Sequence, residues 1–299
     1  MASDRLRRLD AGVSDDPFVC HRSLLFTVAY EMLGSAQDAE DIVQETWLRW
    51  SRVDRDEVRD PRAYLVRIVT RQALNRLRTL SRRREEYVGE WLPEPLATGP
   101  DVAEDAELAE YVSIAMLTVL ETLGPAERAV FVLREVFDVA YEEIAEVMGK
   151  TEAAVRQIAH RARGHVAARR PRMEVDRALQ RGAVEKLLVA FATGDVGGLL
   201  EVLAPGVVLV ADGGGQVPAA RRPVIGAEKV AAFLGRAAKL PDIRASVAWF
   251  NGMPGMRCDL ASATVAVSFA VEDGRITRIY AIVNPLKLGW IERAAELRR

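Results

Sequence analysis

Arg156, Gln157, His160, Arg161 and Arg163 gather polar side chains of one kind into a short stretch of chain. Arginine presents a planar fork of donors that fits guanine edges and phosphates, and glutamine can both donate to and accept from a base. Between them, Val155, Ile158, Ala159, Ala162 and Val166 recur at helical spacing, so the polar set falls on the opposite face. Just upstream, Ile144, Ala145 and Met148 face inward on a shorter helix, Gly149 permits a tight turn, and Thr151 caps the helix that follows. This is a helix-turn-helix pattern. A purely structural helical hairpin would show the same apolar spacing, but the Arg/Gln/His face favours nucleic acid.

Charge along the chain points the same way. Residues 62–84 hold eight arginines and no acid, residues 85–110 hold nine acids and no Lys or Arg, and residues 150–172 hold seven basic residues against Glu152 alone. The net charge is only -2, so the two basic stretches are local footprints for a polyanion rather than a general excess. A third charged face is acidic. Asp38, Asp41 and Glu45 line one side of a helix whose apolar stripe is Ile42, Val43, Thr46 and Trp47.

Catalytic chemistry finds little support. Asp212, followed by three glycines, could act as an acid or base at a pocket mouth lined by Trp249 or Tyr280. More simply, it is a turn residue capping local backbone. The three histidines are His21, His160 and His165, and the chain has no zinc-ligand spacing, phosphate-binding loop or nucleophile elbow. No enzyme activity, metal or cofactor is expected. Cys20 and Cys258 are far apart, no run of 18 apolar residues occurs, and the first ten residues lack the apolar core of a signal peptide. A cytoplasmic protein is expected.

The elements that must position these residues divide the chain. Two helices are predicted over 17–52, separated by Gly34 with Ser35 as a cap, and a third starts at Asp60-Pro61 with Tyr64, Leu65, Ile68, Val69, Ala73 and Leu77 inward. Pro93, Pro95, Gly99 and Pro100 mark a linker over 85–105. Helices resume at 106–122 and 126–137, ahead of the helix-turn-helix. From about 176 come a helix, a short helix before Pro205, a β-branched run over 207–211, a helix over 227–238 and strands at 243–250, 262–272 and 275–283. Asp273-Gly274 is a two-residue hairpin turn. Helices followed by a curled antiparallel sheet indicate an α+β domain with one concave face.

The first 170 residues resemble the extracytoplasmic-function (ECF) sigma factors of bacteria. The resemblance rests on residues 38–50, residues 61–75, the segment 127–134 and the helix-turn-helix. It implies two all-α sigma domains, over 1–84 and 106–172, joined by the acidic linker, with core RNA polymerase and promoter DNA as partners. Asp41, Gln44, Glu45 and Trp47 look like the surface that grips the polymerase. Arg67, Arg71, Asn75 and Arg78 look like contacts for the melted -10 element. Thr151, Arg156, Gln157, His160, Arg161 and Arg163 look like the readers of the -35 element. Residues 173–299 resemble the SnoaL-like cone. Trp91-Leu92-Pro93 in the linker, Asp212-Gly213-Gly214, and Asn284-Pro285 with Lys287-Leu288 mark the subgroup in which that extension acts in cis, with a small-molecule ligand in the cone as a further partner. The competing expectation is a one-component regulator whose second domain senses a ligand. It accounts for 140–299 but not for the acidic helix or the arginine-rich one.

Overall fold

In a computed structural model, residues 16–84, 87–99, 105–171, 176–261 and 263–299 are described, with backbone alone for 81–84. Of the residues singled out above, the side chains of Arg82, Arg83 and Arg84, the linker acids Glu85, Glu86, Asp101 and Glu104, and Pro100 and Arg172 lie outside the described residues. In chain order the helices are α1 (Pro17–Leu33), α2 (Ala36–Trp50), α3 (Pro61–Arg84), α4 (Ala106–Val112), α5 (Ile114–Leu120), α6 (Pro125–Phe131), α7 (Tyr141–Met148), α8 (Glu152–Arg169), α9 (Arg177–Thr193) and α10 (Val196–Val202). Strands β1 (Leu203–Asp212) and β2 (Val224–Ile225) then precede α11 (Ala227–Ala237). Strands β3 (Arg244–Phe250), β4 (Met253–Leu260), β5 (Ala263–Glu272) and β6 (Arg275–Ile282) follow it. The chain divides into two units, one of residues 1–81, 123–165 and 296–299, the other of residues 82–122 and 166–295.

The first unit is helical, and its boundaries follow local chemistry. Asp16 caps α1 by accepting from Phe18 N at 2.8 Å and also receives the Trp50 indole N–H at 3.0 Å. Gly34, left-handed at φ 66°, ends α1, and Ser35 caps α2 by accepting from Asp38 N. Ile42, Val43 and Thr46 are buried as expected. Trp47 is not part of that stripe. It stays 38 % exposed, while Trp50, three positions on, takes the core place. Asp38 also leaves the acidic face, because Arg76 of α3 binds it. In α3 the inward set is Leu65, Val69, Ala73, Leu74 and Leu77, with Tyr64 and Ile68 only half-buried. Residues 296–299 belong to this unit. There Leu297 is buried and Arg298 N donates to Thr27 Oγ1 at 3.0 Å.

The second unit is built on a six-stranded sheet of order β2-β1-β6-β5-β4-β3. Two expectations are corrected here. The sheet is mixed, since β1 runs parallel to β6, made possible by the long α11-containing crossover. A strand was also missed. Asn251-Gly252 forms a tight turn from β3 into β4, which pairs with β3 and β5 along its length. The helix expected over 106–122 breaks at Ser113, whose ψ of 145° leaves the helical region and whose hydroxyl caps α5 at Met116 N. Helices α9, α10 and α11 cover the sheet's inner face around Val184, Leu187, Phe191, Leu199, Val230 and Leu234. This is the layering of an α+β domain, with helices on one face of a curled sheet.

Candidate functional site

The helix-turn-helix forms as the sequence implies. Gly149 ends α7 in the left-handed region at φ 62°, Thr151 Oγ1 accepts from Ala154 N at 3.3 Å, and Val155, Ile158, Ala159, Ala162 and Val166 are buried. Arg156, Gln157, His160, Arg161 and Arg163 are all exposed on the other side of α8. Several cations of that face already have partners. Arg156 pairs with Glu152 at 2.5 Å and lies 4.7 Å from the Tyr141 ring, Arg161 reaches Glu127, and Arg163 reaches Glu135 at 3.1 Å. Exposed pairs of this kind are worth little and exchange readily for a phosphate.

On α3, Asn75 and Arg78 are exposed and neighbours, with Arg78 Nη1 donating to Asn75 Oδ1 at 3.5 Å. Arg67 is bound to Glu146 of α7 at 2.6 Å, and Arg71 Nε donates to the Val147 carbonyl at 3.4 Å. Two of the four residues expected at the -10 element are therefore occupied by the helix-turn-helix. On α2, Asp41, Gln44 and Glu45 are exposed beside Trp47 and Leu48, an acidic face with an apolar edge.

The three short motifs converge in the second unit. Asp212, fully buried at the end of β1, accepts from Leu92 N at 2.8 Å and from Lys287 Nζ at 2.7 Å through one oxygen. Its other oxygen accepts from Tyr87 OH at 2.6 Å and Gly214 N at 3.1 Å. Lys287, only 4 % exposed, also donates to the Leu92 carbonyl at 2.5 Å, and its ammonium sits 3.1 Å from the Trp91 ring centre. Asn284 donates to Tyr87 OH at 2.9 Å and caps the short turn at Pro285 by accepting from Leu286 N. A side chain on Gly214, at φ 57°, would strike Asn284 and Tyr87, and one on Gly213 would strike the Val217 carbonyl. Burial and the hydrogen bond to Asp212 push the Tyr87 hydroxyl well above the usual phenol range. Pro93 is buried, Pro285 exposed, and Leu288 half-buried against Leu92 and Tyr280.

Tyr87 had not been singled out in the sequence, although it lies four residues before Trp91 and stacks edge-on against it at 4.7 Å. Strand alternation links this cluster to the cone interior. Ile279 and Ala281 line a cavity of about 430 Å³ with Leu209, Met256, Val267 and Phe269, while Tyr280 and Ile282 on the other face of the same strand pack on Leu92, Ile114 and Ala115. Cys258 lies in the cavity wall, and burial pushes its thiol up to about 12. Among the described residues, no His/Cys/Asp/Glu group could hold a metal ion, and no helix is long and apolar enough to cross a membrane.

An arginine-rich helix, an acidic helix and a helix-turn-helix joined by a linker define a promoter-recognition factor of the sigma-70 type. The family model for Sigma-70 region 2 matches residues 18–83, and that for Sigma-70, region 4 matches residues 113–166. The chain is 38% identical over 286 residues to ECF RNA polymerase sigma factor SigJ of Mycobacterium tuberculosis, covering 90% of this chain and 91% of that protein. It is 33% identical to the probable ECF RNA polymerase sigma factor SigI of the same species, over 90% of this chain and 92% of that one. The crystal structure of M. tuberculosis SigJ superposes with a TM-score of 0.74 at 35% identity, covering 92% of this chain and 97% of that one. The chain belongs to the ECF RNA polymerase sigma factors, which direct transcription initiation. The one-component reading is thereby set aside.

Proposed function

We propose that this chain binds core RNA polymerase through the Asp41, Gln44, Glu45 and Trp47 face of α2, reads promoter DNA with α3 and α8, and is regulated in cis by its sheet domain through the linker. The observation that carries the regulatory part is the buried Asp212–Lys287 pair closed over Leu92. A linker held by both its N–H and its C=O, with Trp91 as a lid on the ammonium, restrains the segment between the two sigma regions. Releasing it frees region 4 to reach the -35 element. Initiation assays with core polymerase test this. Lys287→Met and Asp212→Asn should raise transcription from a cognate promoter, and unchanged transcription from folded variants would leave the sheet domain a passive appendage. For DNA reading, Arg156→Ala should relax the preference at one -35 position by about 1–3 kcal/mol of discrimination. An affinity loss with every base preference intact would reassign Arg156 to the phosphates.

A second reading concerns the cavity. Its wall is almost wholly apolar and its one thiol is held protonated, which supports binding of a neutral apolar molecule rather than catalysis. Because β6 faces the cavity with Ala281 and the linker cluster with Tyr280 and Ile282, such a ligand would act on the linker through a single strand.

A further inference from the structure

The β3–β4 turn is the part of the cone that no motif marked. Asn251 and Gly252 sit at φ 55° and 71°, the pair of left-handed residues that a two-residue hairpin needs. Hairpin tips ordinarily lie in water, yet Asn251 is fully buried. Its backbone N–H donates to the Leu96 carbonyl at 2.9 Å, and its side-chain Oδ1 accepts from Leu96 N at 2.9 Å. One residue thus exchanges hydrogen bonds with the linker in both directions, as a paired strand would. Its Nδ2 donates at 2.8 Å to the carbonyl of Val112, the last residue of α4. Gly252 N adds a bond to Thr98 Oγ1 at 3.0 Å, and Thr98 N donates to the Trp249 carbonyl at 3.0 Å.

We propose that Asn251 is a positioning residue that ties the linker to the start of region 4. It is an anchor separate from the Asp212–Lys287 cluster. The region 4 match begins at residue 113, directly after the carbonyl that Asn251 holds. The amide fixes both the linker at Leu96 and the point from which region 4 departs. Its use in regulation rests on the cis-acting reading above. The chemistry is specific, since only a side chain with an acceptor and a donor on one short stem, tolerant of positive φ, can meet Leu96 N and Val112 O together.

The test uses the full chain. Asn251→Gly keeps the turn conformation and removes the amide. Asn251→Asp keeps the acceptor for Leu96 and loses the donor to Val112. Thr98→Val is a milder third variant that removes only the bond from Gly252. Backbone hydrogen exchange is followed over 92–98 and 108–116, with β5 and β6 as internal reference, alongside initiation with core polymerase. Asn251→Gly should speed exchange in both segments by about tenfold or more, the scale of losing one or two buried hydrogen bonds. Asn251→Asp should speed chiefly 108–116, and Thr98→Val chiefly the residues around position 98. Initiation from Asn251→Gly should rise as it does for Lys287→Met. Unchanged exchange in folded Asn251→Gly overturns the anchor, even where Lys287→Met raises initiation and so upholds cis regulation. Faster exchange in both segments with initiation flat in Asn251→Gly, Lys287→Met and Asp212→Asn alike upholds the anchor and sinks the regulatory reading. Faster exchange with initiation raised only by Lys287→Met overturns the anchor's use in regulation.

Discussion

Lys287 shows how much a single side chain can carry when water is removed from it. Its ammonium meets a carboxylate, a carbonyl and an indole face, so its desolvation is offset from three directions. Removing one partner of such a pair leaves the other charge buried, at about 3–5 kcal/mol. Lys287→Met should fall near the lower end, because Tyr87 OH and Leu92 N still serve Asp212. Thermal unfolding of the full chain measures it, and a change well below 1 kcal/mol would mean the pair is only a bystander. Asp212 and Lys287 were legible as motif residues, whereas Tyr87 and Asn251 were not. Their hydrogen-bond partners lie over a hundred positions away, and no local spacing announces such a pairing. Glu31 was equally silent. It is fully buried in α1 near Arg128, which donates to its carbonyl oxygen at 3.1 Å, and burial pushes its carboxyl up to about 8 against the opposing charge of Arg128. Between the ordinary carboxylate range and that value, the unfolded chain has released a proton that the folded chain keeps. Stability of the helical unit should therefore fall as pH rises through this window, by up to about 1.4 kcal/mol per unit, and level off above it. Denaturant midpoints across the window, with Glu31→Gln flattening the slope, check both the sign and the residue. A slope unaltered by Glu31→Gln would place the titration elsewhere.

Most helix ends were readable where a cap or a break is written in local residues. Gly34, Ser35, Asp60, Gly149 and Asp176 each end or begin a helix where the sequence placed it. Gly149 at φ 62° has open space around the position of a Cβ, so Gly149→Ala isolates the cost of the left-handed backbone, about 1 kcal/mol by thermal denaturation. A loss of several kcal/mol would instead mean that the two helices shift. At Gly214 the same substitution should cost clearly more, because the added carbon meets Asn284 and Tyr87 as well. What escaped the sequence were elements whose signals are set by neighbours. Met253 to Leu260 contains Pro254 and Gly255, poor strand formers, and becomes a strand because β3 and β5 flank it on both sides. The parallel pairing of β1 with β6 is likewise a tertiary decision. The break at Ser113 carries a local signal, since serine is a strong N-cap, but the helix-forming residues that flank it over 106–112 and 114–120 mask it.

At the scale of the whole molecule, composition and packing pull in different directions over the linker. Nine acids between 85 and 110 suggest a solvated tether, yet Leu92, Pro93, Pro95 and Leu96 are buried, and Leu92 packs with Ile114, Ala115, Tyr280 and Ile282. The acids set the net charge, while a few apolar side chains set the position. Residues 82–122 therefore group with 166–295 rather than with the helices that flank them in sequence. This has a direct consequence for truncation. A chain ending near residue 175 keeps both regions that match sigma-70 models but loses the sheet face that covers Leu92, Ile114 and Ala115. Those residues would be returned to water, where each large side chain forfeits about 1.5–3 kcal/mol of burial. The truncated protein should bind a hydrophobic dye strongly, exchange its amides over 92–120 rapidly, and retain the slow exchange of α1, α2 and α3. Adding the separate sheet domain, residues 176–299, should restore protection over 92–98 if that domain folds alone, which its own circular dichroism decides. Full protection of 92–120 in the truncated chain, with no dye binding, would show that the helices hold the linker without the sheet, and the cis-acting reading would lose its physical basis.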